Sequence, residues 1–254
     1  MTETQEPAAK KPKPDEAEPG GIVVLCPPAP VPTDAARTCL CYWGIRGLAQ
    51  PIRLALEHAG ARYDDVRIDA GAADSDDYKQ VWFRAKPQVG ERVPFPNLPY
   101  LLDGDVRISQ SSAILRHVGR AHGLLGDGTA AGAARVDFVL DQLVDFDNAF
   151  TGTCYRNWAA RDDYFEHKMR PALAQFESLL GDERFFAGAA PSVADFKAYE
   201  AFDKCAIAAP GCLDALPKLG AFVARVAALP RIAAYLASER CIARPLNNPH
   251  AQFL

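Results

Sequence analysis

CYWGIRGLAQPIRLALEHAG, residues 41–60, sets an aromatic pair and an Arg-Gly turn between an apolar run and an amphipathic stretch. The run TCLCY (38–42) reads as a short strand. LAQPIRLALEHAG (48–60) puts Leu48, Ile52, Leu56 and Ala59 on one helical face, with Pro51 tolerated in the first turn and Gly60 as a C-terminal stop. A strand therefore leads into a helix, and Tyr42 and Trp43 stand at the strand's exit, where side chains meet solvent rather than core.

Outward from this unit the same periods continue. RYDDVRI (62–68) reads as a second strand, and LPYLLDGDVRIS (98–109) as two extended runs around an Asp-Gly turn, a hairpin signature. SQSSAILRHVGRAHG (109–123) follows with Ile114, Val118 and Ala121 on one helical face, behind capping candidates Ser109 to Ser112. The order is βαβ, hairpin, helix. From about residue 130 the periods are helical only: Val136, Leu140, Leu143 and Phe150 in one segment, then Phe165, Met169, Leu173, Phe176 and Leu180 in the next. In APSVADFKAYEAF (190–202), Ser192 and Asp195 form a capping box, a folding device and not chemistry.

The first thirty-seven residues differ in kind. They hold eight of the twenty prolines among Glu, Lys and Ala, a composition that cannot bury enough apolar surface to offset ordering, so 1–37 reads as a disordered tail. Its patch Ile22-Val23-Val24-Leu25 is too short for a signal-peptide core and has no basic flank. The expected organisation is a tail (1–37), an α/β domain (38–121), a linker (122–129), an all-helical domain (130–246) and a C-terminal tail (247–254).

Composition narrows the function. A net charge of -4 with no block of like charges gives nucleic acid or anionic membrane no purchase. Seven cysteines at irregular spacing without a CxxC indicate neither a disulfide framework nor a zinc site, and reduced thiols in the cytoplasm fit that usage. No GxxxxGK[ST] or HExxH is present, so neither nucleotide hydrolysis nor metal catalysis is indicated, and no metal ligand set is assigned. No apolar run reaches the roughly 18 residues that span a bilayer.

YWGIRGLAQPIRL, FPNLPYLLDG, SQSSAIL and PSVADFKAYE, in that order, resemble the signature stretches of the cytosolic glutathione transferases, the mu class in particular, over about residues 39–246. The resemblance implies a thioredoxin-like N-terminal domain and an all-α C-terminal domain. It also implies a homodimer that joins glutathione, its one co-substrate and in place of any cofactor, to small hydrophobic electrophiles in detoxification.

Residue by residue, the resemblance implies that the Tyr42 hydroxyl donates to the glutathione sulfur and that Trp43 lines the adjoining pocket, with Leu48 and Asn97 also in the glutathione site. Leu98-Pro99 matches a cis-proline turn whose Leu98 backbone pairs with the cysteinyl unit; by base rate alone such a bond is trans. Gln110 and Ser111 match the γ-glutamyl carboxylate site at a helix start, where plain capping by Ser111 is the alternative. Trp82 and Lys86 match the donors to the glycyl carboxylate, although a loop lysine read alone is a solvated charge. Asp145 matches the acid that reaches the partner subunit's ligand amine; Asp137, Asp141 and Asp147 show that acids facing solvent are common on this helix. Tyr155 matches a tyrosine that donates to an epoxide oxygen or enolate, with inter-domain packing as its alternative. Phe95 and Arg116 match dimer-interface positions.

Three departures stand out: Gly44 where mu-class chains carry Asp, a longer loop at RAKPQVGERVPFPN (84–97), and a divergent C-terminus, RPLNNPHAQFL (244–254). Three rival readings share the fold: a thiol transferase using Cys41, a sigma-like glutathione-dependent isomerase, and a non-catalytic ligand-binding or interaction protein. Against the first, adjacent strand residues point to opposite faces, so only one of Cys41 and Tyr42 meets the ligand.

Overall fold

The computed structural model describes residues 21–25 and 31–253. Its sheet contains β1 (Ile22–Leu25), β2 (Thr38–Trp43), β3 (Tyr63–Ile68), β4 (Tyr100–Asp103) and β5 (Val106–Ser109), in the spatial order β1-β3-β2-β4-β5. The first three run parallel; β4 is antiparallel to β2, and β5 to β4 around Gly104, whose φ of 57° suits the Asp-Gly turn.

β1 corrects the reading of 1–37 as one disordered tail. Ile22–Leu25 pairs with Asp65–Ile68 along the outer edge of β3. An apolar, β-branched run needs only an unpaired edge to satisfy its backbone, and β3 provides one. The chain before β2 is tied down as well: Val31 is buried, the Pro32 carbonyl accepts from the Tyr100 hydroxyl at 2.5 Å, and Asp34 meets Arg107 at 2.9 Å. Residues 1–20 and 26–30 of the expected tail lie outside the described residues.

Three helices accompany the sheet: α1 (Gln50–Ala59), α2 (Gln80–Gly90) and α3 (Ser111–His122). α1 ends at Gly60 in the left-handed region (φ 66°), as expected, but begins after Leu48, which sits 37% exposed in the preceding turn and not on the buried face. α2 replaces the expected loop at 84–90. Val81, Trp82 and Val89 give it a buried face, and Pro87 inside the helix is what hid it from a sequence reading. α3 buries Ile114, Leu115, Val118 and Gly119, while Ala121 is exposed.

The second half is helical throughout. α4 (Ala130–Arg156) leads to α5 (Arg161–Tyr164), which runs through a π turn (Phe165–Met169) into α6 (Arg170–Leu180); α7 (Val193–Ala208), α8 (Pro217–Ala227) and α9 (Pro230–Leu236) follow. All the apolar positions read from the sequence in α4 to α6 are buried. Phe146, Phe176, Phe186, Phe202 and Phe222 form one ring cluster with neighbouring centroids 5.1 to 6.3 Å apart. Truncating one such ring to Ala costs roughly 3–5 kcal/mol. The capping box closes at α7: the Asp195 carboxylate accepts from the Ser192 N–H at 2.8 Å and hydroxyl at 2.7 Å.

The halves meet where α1 and α3 pack on α7, with α4 on the other side of α7. α7 is therefore buried almost all round, and it carries Lys197, Glu200 and Lys204 into that interior.

Candidate functional site

The turn after β2 wraps beneath the Tyr42 ring. The Leu48 N–H donates to the Tyr42 hydroxyl oxygen at 3.2 Å, and Gly47 (φ 41°) leaves no room for a side chain, since a Cβ there would lie 2.6 Å from that oxygen. Three anchors hold the turn. Arg46 reaches across to α7, with Nη2 at 2.5 Å from Glu200 and 2.6 Å from Asp203; buried Arg53 donates to the Ile45 carbonyl at 2.9 Å; and Gly47 N–H donates to the Leu246 carbonyl at 3.1 Å. Arg53 is itself fixed by Asp65 on β3 at 3.0 Å.

A cavity of about 240 Å³ opens beside Tyr42. The first half contributes Tyr42, Ile45, Gly47 and Leu48 to its wall. The second contributes Asp147, Asn148, Thr151, Tyr155, Lys204 and Asn247. Tyr155 thus shares the cavity, and its hydroxyl oxygen accepts from the Asn248 N–H at 2.8 Å. Both phenols are built alike: each oxygen takes a backbone N–H, which leaves its own hydrogen for a ligand. Burial pushes the Tyr42 pKa up to about 12 despite the Leu48 contact, so at neutral pH Tyr42 is a donor and not a base. Burial raises the Tyr155 pKa too.

Asp147 does not face solvent, as the run of acids on α4 led one to expect. It is buried between two α7 lysines, accepting from Lys197 Nζ at 2.6 Å through one oxygen and from Lys204 Nζ through the other. Burial alone would raise its pKa, but the two ammonium groups outweigh it and hold the carboxyl well below the usual range. Burial likewise opposes the Lys204 charge, and Asp147 and Glu200 keep its pKa above the ordinary value. Sequence reasoning missed Lys204. The available signal was its i, i+7 spacing from Lys197 on a helix otherwise apolar at those positions.

The other residues singled out by sequence fall as follows. Trp43 is buried and lies outside the cavity wall. The Leu98-Pro99 bond is cis, and the Leu98 N–H is taken by the Asn97 side-chain oxygen at 3.0 Å, so a ligand would displace that contact. Gln110 has φ 73°, a conformation that non-glycine residues avoid except where surrounding structure imposes it. It is Gln110, not Ser111, that stands at the N-cap of α3, and no side chain caps that end. The first-turn N–H groups remain open to an anion. Trp82 is buried against Tyr100, with ring centroids 6.0 Å apart, and Lys86 lies one turn later on α2, half-buried.

Asp145 is exposed in a separate groove of about 380 Å³ between α4 and the α5–α6 segment, among Phe138, Phe146, Tyr164 and Phe176. Phe95 is 88% exposed at φ 51°, and its carbonyl accepts from the buried Ser109 hydroxyl at 2.9 Å. Arg116 clasps α3 to α4 within the chain, 2.5 Å from Asp137 and 2.7 Å from Asp141.

Cys41 points away from the cavity. It is fully buried with its sulfur 3.6 Å from Cys39, and burial pushes its pKa well above the ordinary thiol value. Such a thiol has no thiolate to offer at neutral pH. The C-terminus is no loose tail. Gln252 N–H donates to the Cys154 carbonyl at 2.8 Å, Phe253 stacks on Trp158 at 4.3 Å, and Asn247 joins the cavity wall. No cluster of side chains suited to a metal occurs among the described residues, and no single helix there is long and apolar enough to cross a membrane.

Residues 39–120 match the family described as glutathione S-transferase, N-terminal domain, and residues 144–239 the family described as glutathione S-transferase, C-terminal domain. The chain is 39% identical over 215 residues to glutathione S-transferase Mu 5 of Rattus norvegicus. It is 40% identical over 216 residues to glutathione S-transferase Mu 3 of Homo sapiens. Each alignment covers 84% of this chain and 94% of the relative. Among solved structures, the pi-class glutathione S-transferase of Onchocerca volvulus superposes with a TM-score of 0.74 at 31% identity, over 85% of this chain and 99% of that one.

Proposed function

Because this chain belongs to the glutathione S-transferase family, in its mu class, we propose that Tyr42 and Tyr155 act on the two ends of one reaction, the joining of the glutathione sulfur to an electrophile. The observation that carries the reading is that the two phenols, one from each half, face one cavity, each accepting a backbone N–H at its oxygen.

Tyr42 donates to the sulfur and favours thiolate over thiol. Lowering a thiol pKa from ~8.5 by about two units takes roughly 2.7 kcal/mol and raises the thiolate fraction at pH 7 about 25-fold. The less basic sulfur is a weaker nucleophile, by roughly 8-fold at a Brønsted slope of ~0.45, so activation alone nets about 3-fold. Placement of the electrophile beside the sulfur supplies the remainder. Tyr155 donates to the oxygen on which charge develops as the sulfur attacks.

Glutathione lies with its γ-glutamyl carboxylate at the open N-terminus of α3, beside Gln110 and Ser111, and its cysteinyl amides along Leu98, before the cis Pro99. Its glycyl carboxylate lies towards Trp82 and Lys86, with Trp43, Leu48 and Asn97 bordering the site. The enzyme works as a homodimer. Exposed Phe95, held in a conformation that costs an aromatic residue energy, is matched in chemistry by the apolar groove around Phe138, and a partner seated there would meet Asp145 and approach Arg116. The six described cysteines are free, which suits detoxification chemistry in the cytoplasm.

The test is the rate of glutathione conjugation to an activated chloronitrobenzene by the protein and by Tyr42→Phe at neutral pH. Turnover by the wild type and a loss in the variant support the reading; glutathione binding without turnover in the wild type refutes it.

A further inference from the structure

The cavity beside Tyr42 is small, and seven of the ten residues that line it carry a polar side-chain group. Ile45, Gly47 and Leu48 are its apolar part, at the sheet end. The α7 end presents Lys204, whose side chain is 3% exposed. An ammonium has three hydrogens to give. Among the described residues Lys204 finds one oxygen, from Asp147, and the ring of Phe150 at 5.8 Å. Asp147 divides its carboxylate between the two lysines, one oxygen to each. A buried ammonium short of acceptors is costly, and the cavity is the side from which an acceptor can arrive. The Tyr155 hydroxyl adds a second donor to the same wall.

We propose that the electrophile accepted here carries a carboxylate across its double bond from the activating carbonyl, and that Lys204 selects it by binding that carboxylate while the rest of the carbon skeleton lies against Ile45 and Leu48. This rests on the transferase reading above and narrows it to a substrate class: small unsaturated carbonyl compounds bearing an acid group. In the reaction the sulfur lone pair forms the S–C bond at the β-carbon. The C=C pair moves to the carbonyl as an enolate facing Tyr155, and the α-carbon then takes up one proton. Nothing is oxidised or reduced, and no group leaves.

The experiment compares monomethyl fumarate, which carries the carboxylate, with dimethyl fumarate, which does not. For each, kcat/KM is divided by the uncatalysed rate with glutathione, in the wild type, in Lys204→Met and in Lys204→Arg. The wild type is expected to favour the monoester by about tenfold or more on this scale, the worth of one charge-assisted hydrogen bond. Lys204→Met is expected to abolish the preference, and Lys204→Arg to restore part of it. The variant Lys204→Gln, which keeps an amide donor for Asp147 while Lys197 continues to pair with that carboxylate, guards against misfolding and should also lack the preference. A preference that survives Lys204→Met, or a wild type that favours the diester, overturns the proposal while leaving the transferase reading intact. A wild type that conjugates neither ester nor the chloronitrobenzene overturns both.

Discussion

The two halves of this molecule build their shares of the proposed site by different means. The sheet half works largely through backbone: the Leu48 N–H under the Tyr42 hydroxyl, the cis turn at Pro99, the positive φ of Gln110 and the uncapped start of α3. The helical half works through side chains on two packed helices, with Asp147 and Tyr155 on α4 and Lys204 on α7. Backbone recognition serves a ligand that never changes, whereas side chains at helical positions are exchanged without disturbing the fold. On the proposed function, the difference divides the fixed co-substrate from the electrophile.

If the helical half depends on its buried ions as described, the largest effect should come from Asp147. Asp147→Ala leaves two buried ammonium groups without their carboxylate and should lower unfolding free energy by roughly 3–5 kcal/mol in denaturant titration. A loss below about 1 kcal/mol, the range of exposed pairs, would mean the triad is not what fixes α7 on α4. The same group sets an acid limb. Its carboxyl is held below the usual range, so its contribution to stability is complete above the unfolded carboxyl pKa of ~3.9 and drains away as pH falls below it. Asp147→Asn should flatten that limb in unfolding curves taken across acid pH.

A smaller effect separates the two phenols. Tyr155→Phe should slow epoxide opening by about tenfold or more while slowing aromatic substitution less, because only the first reaction develops charge on an oxygen at that hydroxyl. Equal slowing of both would assign Tyr155 to packing. Smaller again is the capping box: Ser192→Ala should cost about 1 kcal/mol in stability and leave kcat/KM unchanged, since the box lies in the helical scaffold. A fall in kcat/KM at full folding would join it to the site.

In both halves, features fixed by local backbone chemistry were the more legible in sequence, and the reason is physical. Gly60, the Asp103-Gly104 turn and the Ser192-Asp195 cap each need a particular residue type for a particular backbone shape, and each was read correctly. Tyr42 was placed by the family resemblance, and its position at a strand's exit misled, since Tyr42 and Trp43 are buried there and do not meet solvent as expected. What escaped reading were features that depend on distant packing. Pro87 concealed α2, an edge vacant on β3 captured Ile22–Leu25, and Asp147 looked like its exposed neighbours until α7 brought two lysines against it. Lys204 was passed over for the same cause: a lysine on a helix reads as solvated unless the helix is known to be buried.

The central claim is that the Tyr42 hydroxyl stabilises the glutathione thiolate. Its most direct test is the titration of the thiolate's ultraviolet absorbance in the binary complex with glutathione, for the wild type and for Tyr42→Phe. The claim predicts a midpoint about two units below the free value of ~8.5 in the wild type, returning towards it in the variant. Coincident midpoints in the two proteins would contradict it.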